Sequence, residues 1–241
     1  MDIKLAVLDM AGTTVRDNKE VENCFAESLV QAGLQISEER ILAVQGWSKY
    51  FVFETLWAEV IGKDHPDYRK RVDENYALFK QILENHYKKH PAQPQPFAEE
   101  TFQWLREKGV KIALTTGFYR EITDVILAQL GWNKGLDDNH LANGQGIINC
   151  SLCSDDVENG RPAPDMIFLA MKKLGINDVK QVLKIGDTPS DLEAGKAAGA
   201  GVNLGILNGT HTKAQLQAIE NTDLIEDLRG IKNYINNEVI V

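Results

Sequence analysis

The chain has 241 residues, 43% of them hydrophobic and 25% charged, which is enough for one sizeable α/β domain, alone or with a smaller insert. With 26 Lys+Arg against 35 Asp+Glu, the formal net charge of −9 argues against a nucleic-acid groove or an anionic membrane surface as partner. No apolar run approaches the ~20 residues of a membrane span, the N-terminus does not read as a signal peptide, and three cysteines make no disulfide framework, so a cytoplasmic location is expected.

In chain order, Ile3–Leu8 reads as a strand buried on both faces, ending in Asp9 and a turn at Ala11-Gly12-Thr13-Thr14. Amphipathic helical stretches follow at Glu20–Ala32, Glu38–Val44, Phe51–Ile61 and Tyr68–Tyr87, before Pro91, Pro94 and Pro96 interrupt the pattern. Strand and helix then alternate. Helices are expected at Phe97–Glu107, Tyr119–Leu130, Pro164–Leu174, Leu192–Ala198 and Thr212–Ala218. Strands are expected at Lys111–Thr115, Gly146–Cys153, Val182–Ile185 and Gly201–Leu204. Repeated β-then-α units imply a doubly wound, Rossmann-like parallel sheet with helices on both faces. Residues 1–15 and 97–241 would form that α/β core, and 16–96 an inserted helical cap.

Cys150 and Cys153 form a CxxC, but one such pair without a second ligand pair is a weak metal or redox signal, and both read as packing residues. His86 and His90 share a helix face without an acidic third ligand, which fits a surface face better than a metal site.

Ligands of open parallel sheets bind beyond the carboxyl ends of the strands. Asp9, Thr116-Gly117 and Asp187 fall at such ends. Four short motifs carry the chemistry: Asp9-Met10-Ala11-Gly12-Thr13, Thr115-Thr116-Gly117, Arg161-Pro162 and Gly186-Asp187-Thr188-Pro189-Ser190-Asp191. Any one of them also reads as a strand end or helix cap. Their ordered recurrence is what points to a site.

With these motifs the chain resembles the haloacid dehalogenase superfamily of hydrolases, over roughly 1–15 and 97–220. The resemblance implies a flavodoxin-like core, a helical cap between the first two motifs, and Mg²⁺-assisted phosphoryl transfer to Asp9 through an aspartyl phosphate. It further implies that Asp9, Asp187 and the Ala11 carbonyl hold the metal, with Asp191 acting directly or through water. Thr116 and the N–H groups around Gly117 would hold phosphoryl oxygens, and Arg161 would balance charge where the superfamily often has lysine.

Most phosphatases of the superfamily carry a general acid two residues after the nucleophile; here that position is Ala11. The Asp-x-Ala-Gly-Thr-Thr form is characteristic of the phosphonatase group, in which a cap lysine forms a Schiff base with an aldehyde substrate. Gln45-Gly46-Trp47-Ser48-Lys49 matches the Met-Gly-x-x-Lys cap segment of that group and places Lys49 at the Schiff-base position. Thr115-Thr116-Gly117-Phe118-Tyr119-Arg120-Glu121, Asp155-Asp156 and Gly160-Arg161-Pro162 match as well. Two departures stand out: Val52 replaces the group's histidine three residues after the lysine, and Phe118 replaces a tyrosine.

The expected activity is therefore hydrolysis of a P–C or P–O bond in a small phosphonate or phosphate, by a monomer or homodimer. The alternatives are a phosphomonoesterase or phosphomutase-like enzyme and, from a different class, a non-catalytic phosphate-binding module.

Overall fold

The computed structural model describes residues 2–235. Residue 1 and residues 236–241 of the expected core segment lie outside the described residues.

Four helices follow β1 (Leu5–Asp9) in succession: α1 (Glu20–Gln31), α2 (Glu38–Ala43), α3 (Lys49–Ile61) and α4 (Tyr68–Lys89). Strands and helices then alternate through α5 (Ala98–Glu107), β2 (Lys111–Thr115), α6 (Arg120–Leu130), β3 (Cys150–Leu152) and α7 (Asp165–Leu174). β4 (Val182–Gly186), α8 (Pro189–Ala198), β5 (Val202–Ile206), α9 (Lys213–Gln217) and β6 (Asp223–Ile225) complete the series. The strands form one parallel sheet in the order β3-β2-β1-β4-β5-β6, the Rossmann arrangement, whose order reverses beside β1.

The central strand shows why the sequence forms this sheet. Its residues Leu-Ala-Val-Leu-Asp are all buried. Side chains alternate along a strand, so Leu5 and Val7 pack with Ile167, Ala170 and Ala194 of α7 and α8. Ala6 and Leu8 face the opposite layer, which holds Phe102, Leu105, Ile122 and Ile126 of α5 and α6.

The α1–α4 insert has its own aromatic centre, where Phe25, Phe53 and Phe79 lie with ring centroids 5.0–5.8 Å apart. Buried Asn75 ties three of these helices together. Its amide donates to Ser28 O at 2.9 Å and accepts from Trp57 Nε1 at 3.2 Å. The two connections to the sheet run side by side, with Gln95 N–H on Thr14 O at 2.8 Å and Arg16 N–H on Gln93 O at 2.9 Å.

Several boundaries differ from the sequence pattern for local reasons. β3 covers only the last part of the expected Gly146–Cys153 strand, because Asn149 uses its side chain to accept Ile112 N–H at 2.8 Å. α8 starts three residues early, where Thr188 and Asp191 form a capping box around Pro189. α3 begins at Lys49 rather than Phe51, so this lysine opens a helix. β6 was not foreseen. No helix among the described residues is long and apolar enough to cross a membrane.

Candidate active site

β1, β2 and β4 are neighbours, so the residues at their carboxyl ends converge. Asp9 ends β1 and is buried. The chain then turns sharply, with the N–H groups of Thr13, Thr14 and Val15 all directed at Met10 O. Gly12 makes this turn at φ +89°, and a Cβ there would lie 2.3 Å from Asp187 Oδ2. Only glycine lets the turn approach the β4 loop so closely.

Asp187 follows β4 and accepts from Thr13 Oγ1 at 3.2 Å, Thr210 N at 2.8 Å and Thr210 Oγ1 at 2.7 Å. Asp191 sits in the first turn of α8. One of its oxygens accepts from Thr188 Oγ1 at 2.7 Å, while the other meets both Arg161 and Lys184 Nζ, the latter at 2.7 Å. Arg161 also pairs with Asp9 Oδ1 at 2.7 Å. Oxygens of Asp9, Asp187 and Asp191 all lie within 4.8 Å of one another.

The electrostatics divide these acids. Burial opposes ionisation of Asp191, but Arg161 and Lys184 outweigh it and hold the carboxyl down at about 2. Burial and the negative charge of Asp191 push Asp9 up to about 7 despite Arg161. Asp187 is raised by the same two causes. Three buried carboxylates thus face two fixed cations. Asp9 and Asp187 keep unused acceptor positions, while both oxygens of Asp191 are engaged. A hard, all-oxygen donor set short of positive charge suits a divalent cation such as Mg²⁺.

Above this cluster lies a small cleft, lined among others by Asp9, Asp17, Lys49, Thr116, Gly117 and Arg161. Lys49, carried by the insert, is only 8% exposed. It has no ion-pair partner among the described residues. Burial, then the like charge of Arg161, lowers its ammonium to about 8. Thr116 uses its own N–H on Leu152 O at 3.1 Å, and its hydroxyl accepts from Phe118 N–H at 3.2 Å.

The loop before α3 rests on the core through glycines. A Cβ on Gly117 would meet Trp47 O at 2.6 Å and Gly46 O at 2.8 Å. A Cβ on Gly46 would meet Thr188 Oγ1 at 2.5 Å, and one on Gly160 the Ser48 Cβ at 3.0 Å.

Residues 3–199 match the haloacid dehalogenase-like hydrolase family. The chain belongs to that family. This hydrolase is 28% identical to phosphonoacetaldehyde hydrolase of Bacillus cereus, over 97% of the chain and 88% of the relative. Among solved structures it resembles a hydrolase from Pseudomonas syringae, with a TM-score of 0.78, 23% identity and coverage of 97% and 100% of the two chains. It also resembles a phosphonoacetaldehyde hydrolase-like protein from Oleispira antarctica, with a TM-score of 0.75, 19% identity and coverage of 97% and 91%. Both likenesses show the shared fold.

In this haloacid dehalogenase-like hydrolase the fold brings Asp9, Ala11, Lys49, Thr116, Gly117 and Arg161 to one cleft, with Asp187 and Asp191 beside Asp9. Asp155 and Asp156 do a different job: they bind the backbone N–H and guanidinium of Arg120, bracing the loop after β2. Sequence reasoning missed Lys184, Thr210 and Asp17. Lys184 left a signal, since a lysine inside the apolar run of β4 must find a buried partner. Thr210 left none, because its loop only meets Asp187 in space. Both members of the CxxC are buried, and burial pushes each thiol up to about 12, so they pack as neutral side chains. The rings of His86 and His90 lie 4.9 Å apart, and no acid joins them in a ligand cluster among the described residues.

Proposed function

We propose that this hydrolase is a Mg²⁺-dependent, phosphonatase-type enzyme acting on a small phosphonate with a carbonyl group, and that residues 16–96 act as its cap. The observation that carries this reading is Lys49: a buried amine without an ion-pair partner, facing the same cleft as Asp9. Burial that lowers an ammonium toward neutrality makes the free amine available as a nucleophile. The similarity to phosphonoacetaldehyde hydrolase of Bacillus cereus supports the same choice of substrate.

In this reading Asp9 attacks phosphorus and becomes the aspartyl phosphate, which water then hydrolyses. Arg161, held by Asp191, keeps the Asp9 carboxylate and the phosphoryl group from repelling each other. Thr116 and the backbone at Gly117 bind phosphoryl oxygens. Lys49 condenses with the carbonyl, and the resulting iminium accepts the electron pair released when the P–C bond breaks. Such an electron sink removes the need for an acid at Ala11. A bound Mg²⁺ would neutralise charge on the nucleophile and phosphoryl oxygens, held by Asp9, Asp187 and the Ala11 carbonyl, with Asp191 reached through water.

The test is Mg²⁺-dependent phosphate release from phosphonoacetaldehyde, run beside a panel of small phosphate monoesters. Release from the phosphonate that disappears in Lys49→Arg supports the reading. Turnover of monoesters alone, unaffected by Lys49→Arg, removes Lys49 from the chemistry and leaves Asp9 as nucleophile of a phosphomonoesterase.

A further inference from the structure

Imine chemistry at Lys49 needs a proton carrier on the organic side of the cleft. The positions from which one was expected are apolar here: Ala11 after the nucleophile, Val52 one turn into α3, and Phe118 after β2. The ionisable side chains lining the cleft are Asp9, Asp17, Lys49 and Arg161. Asp9 is committed to phosphorus, and a guanidinium does not give up its proton. That leaves one carboxyl able to exchange a proton with a group attached to Lys49.

We infer that Asp17 is the general acid–base of this site, passing a proton to and from the substrate's carbonyl oxygen as Lys49 adds to the carbonyl carbon. The inference rests on the proposed role of Lys49 and supplies the partner which that role requires.

Asp17 lies in the segment leading from the β1 turn into α1, and it shares the cleft wall with Val21. Its Oδ1 accepts Val21 N–H at 3.4 Å, which orients the carboxyl. Of the two carboxylates that favour the charged form of Lys49, Asp17 acts more strongly than Asp9. The ionisable groups it interacts with are Glu20 and Cys24 from α1, Lys49 from α3, Tyr87 from α4 and Asp187 from the loop after β4. Burial, its hydrogen bond with Glu20 and the charges of Glu20 and Asp187 raise the carboxyl to about 7, where acid and base forms coexist at neutral pH.

The proton balance closes. The neutral Lys49 amine attacks the carbonyl carbon, a C–N bond forms, and the C=O π pair moves to oxygen, which takes the Asp17 proton. The Asp17 carboxylate recovers a proton from the attacking nitrogen, giving a neutral carbinolamine. It then protonates the hydroxyl. The C–O bond breaks with its electron pair leaving as water, while the nitrogen lone pair completes the iminium. P–C cleavage leaves an enamine on Lys49, whose carbon takes a proton from solvent water to give the product iminium. Hydrolysis of that iminium runs the steps above in reverse, with Asp17 taking the proton from water.

Asp17→Asn is a discriminating variant, because asparagine still accepts Val21 N–H but carries no exchangeable acid proton. Borohydride trapping of Lys49 in the presence of phosphonoacetaldehyde reads the imine step directly, beside phosphate release and Tm. In Asp17→Asn, trapping and phosphate release should both fall about 10²–10⁴-fold with Tm unchanged. Asp17→Glu should recover part of the rate, and added formate should partly rescue Asp17→Ala. Wild-type trapping kinetics in Asp17→Asn overturn the inference while leaving Lys49 in place. A loss that neither glutamate nor formate repairs also overturns it, as a structural effect. Absence of trapping in the wild-type enzyme is a separate result, which overturns the Lys49 reading itself.

Discussion

Replacing Lys49 with methionine keeps an unbranched side chain of similar length at a buried position and removes its charge. In the folded protein, burial first and Arg161 second bring the ammonium from 10.5 down to about 8, against the pull of Asp17 and Asp9. At about 1.4 kcal/mol for each pH unit, the charged lysine carries about 3 kcal/mol of instability near pH 7. That is a large share of the roughly 5–15 kcal/mol that holds a domain folded. The sign follows from proton linkage. Below both values the folded and unfolded chains are both protonated, and the penalty is present in full. Between 8 and 10.5 the unfolded chain binds more protons, so the wild-type protein gains stability as pH rises. Urea unfolding without added metal, from about pH 7 to about pH 10, measures this. Lys49→Met should be about 3 kcal/mol more stable than wild type near pH 7, and the gap should close toward pH 10. The difference between the two proteins is the proper readout. Cys24, Cys150 and Cys153, pushed up by burial to about 11 to 12, titrate alike in both. A variant no more stable than wild type near pH 7, or a gap that does not narrow, would mean that burial imposes no such penalty on the Lys49 ammonium.

Asp191→Asn should cost about 3–5 kcal/mol in urea, because it leaves Arg161 and Lys184 short of a buried counter-charge. Adding Lys184→Met should recover part of that loss, and strictly additive effects would show that the pair is not coupled. Gly117→Ala should lower kcat/KM by at least about tenfold with only a small drop in Tm, since its methyl would push on Trp47 O and Gly46 O. Unchanged kinetics would mean that this contact plays no part in catalysis. Added Mg²⁺ should raise Tm, by the equivalent of about 2.7 kcal/mol at a hundredfold excess over Kd, and Asp187→Asn should lose most of the rise. An identical response in that variant would place the ion elsewhere.

The sheet was legible because its strands are short apolar runs and its helices are amphipathic, and both signals are local. The strand-end positions of Asp9, Thr116 and Asp187 followed from that pattern and from the rule that parallel sheets bind ligands at their carboxyl ends. Boundaries failed where side chains took over backbone roles, as Asn149 does beside β2 and Thr188 does ahead of α8. Long-range partners were the least legible. Thr210 meets Asp187 only after β5 is placed beside β4, and Asp17 shares a cleft wall with residues far from it in the chain, such as Lys49 and Thr116. Lys184 could have been found, since a charged residue amid Val182, Leu183 and Ile185 asks for an anion inside the protein.

The seam at Gly46, Gly117 and Gly160 has a consequence for how such an enzyme can diversify. Contact there is made possible by the absence of side chains at three glycines, so the packing of the loop before α3 on the core depends on few sequence positions. The walls of the cleft that would meet a substrate's organic group, at Val21, Gln45 and Phe118, lie outside those three glycines. In the proposed reading, substrate preference can therefore drift by substitution at the walls while the packing of the loop before α3 is left intact, and new specificity need not disturb the residues assigned to phosphorus.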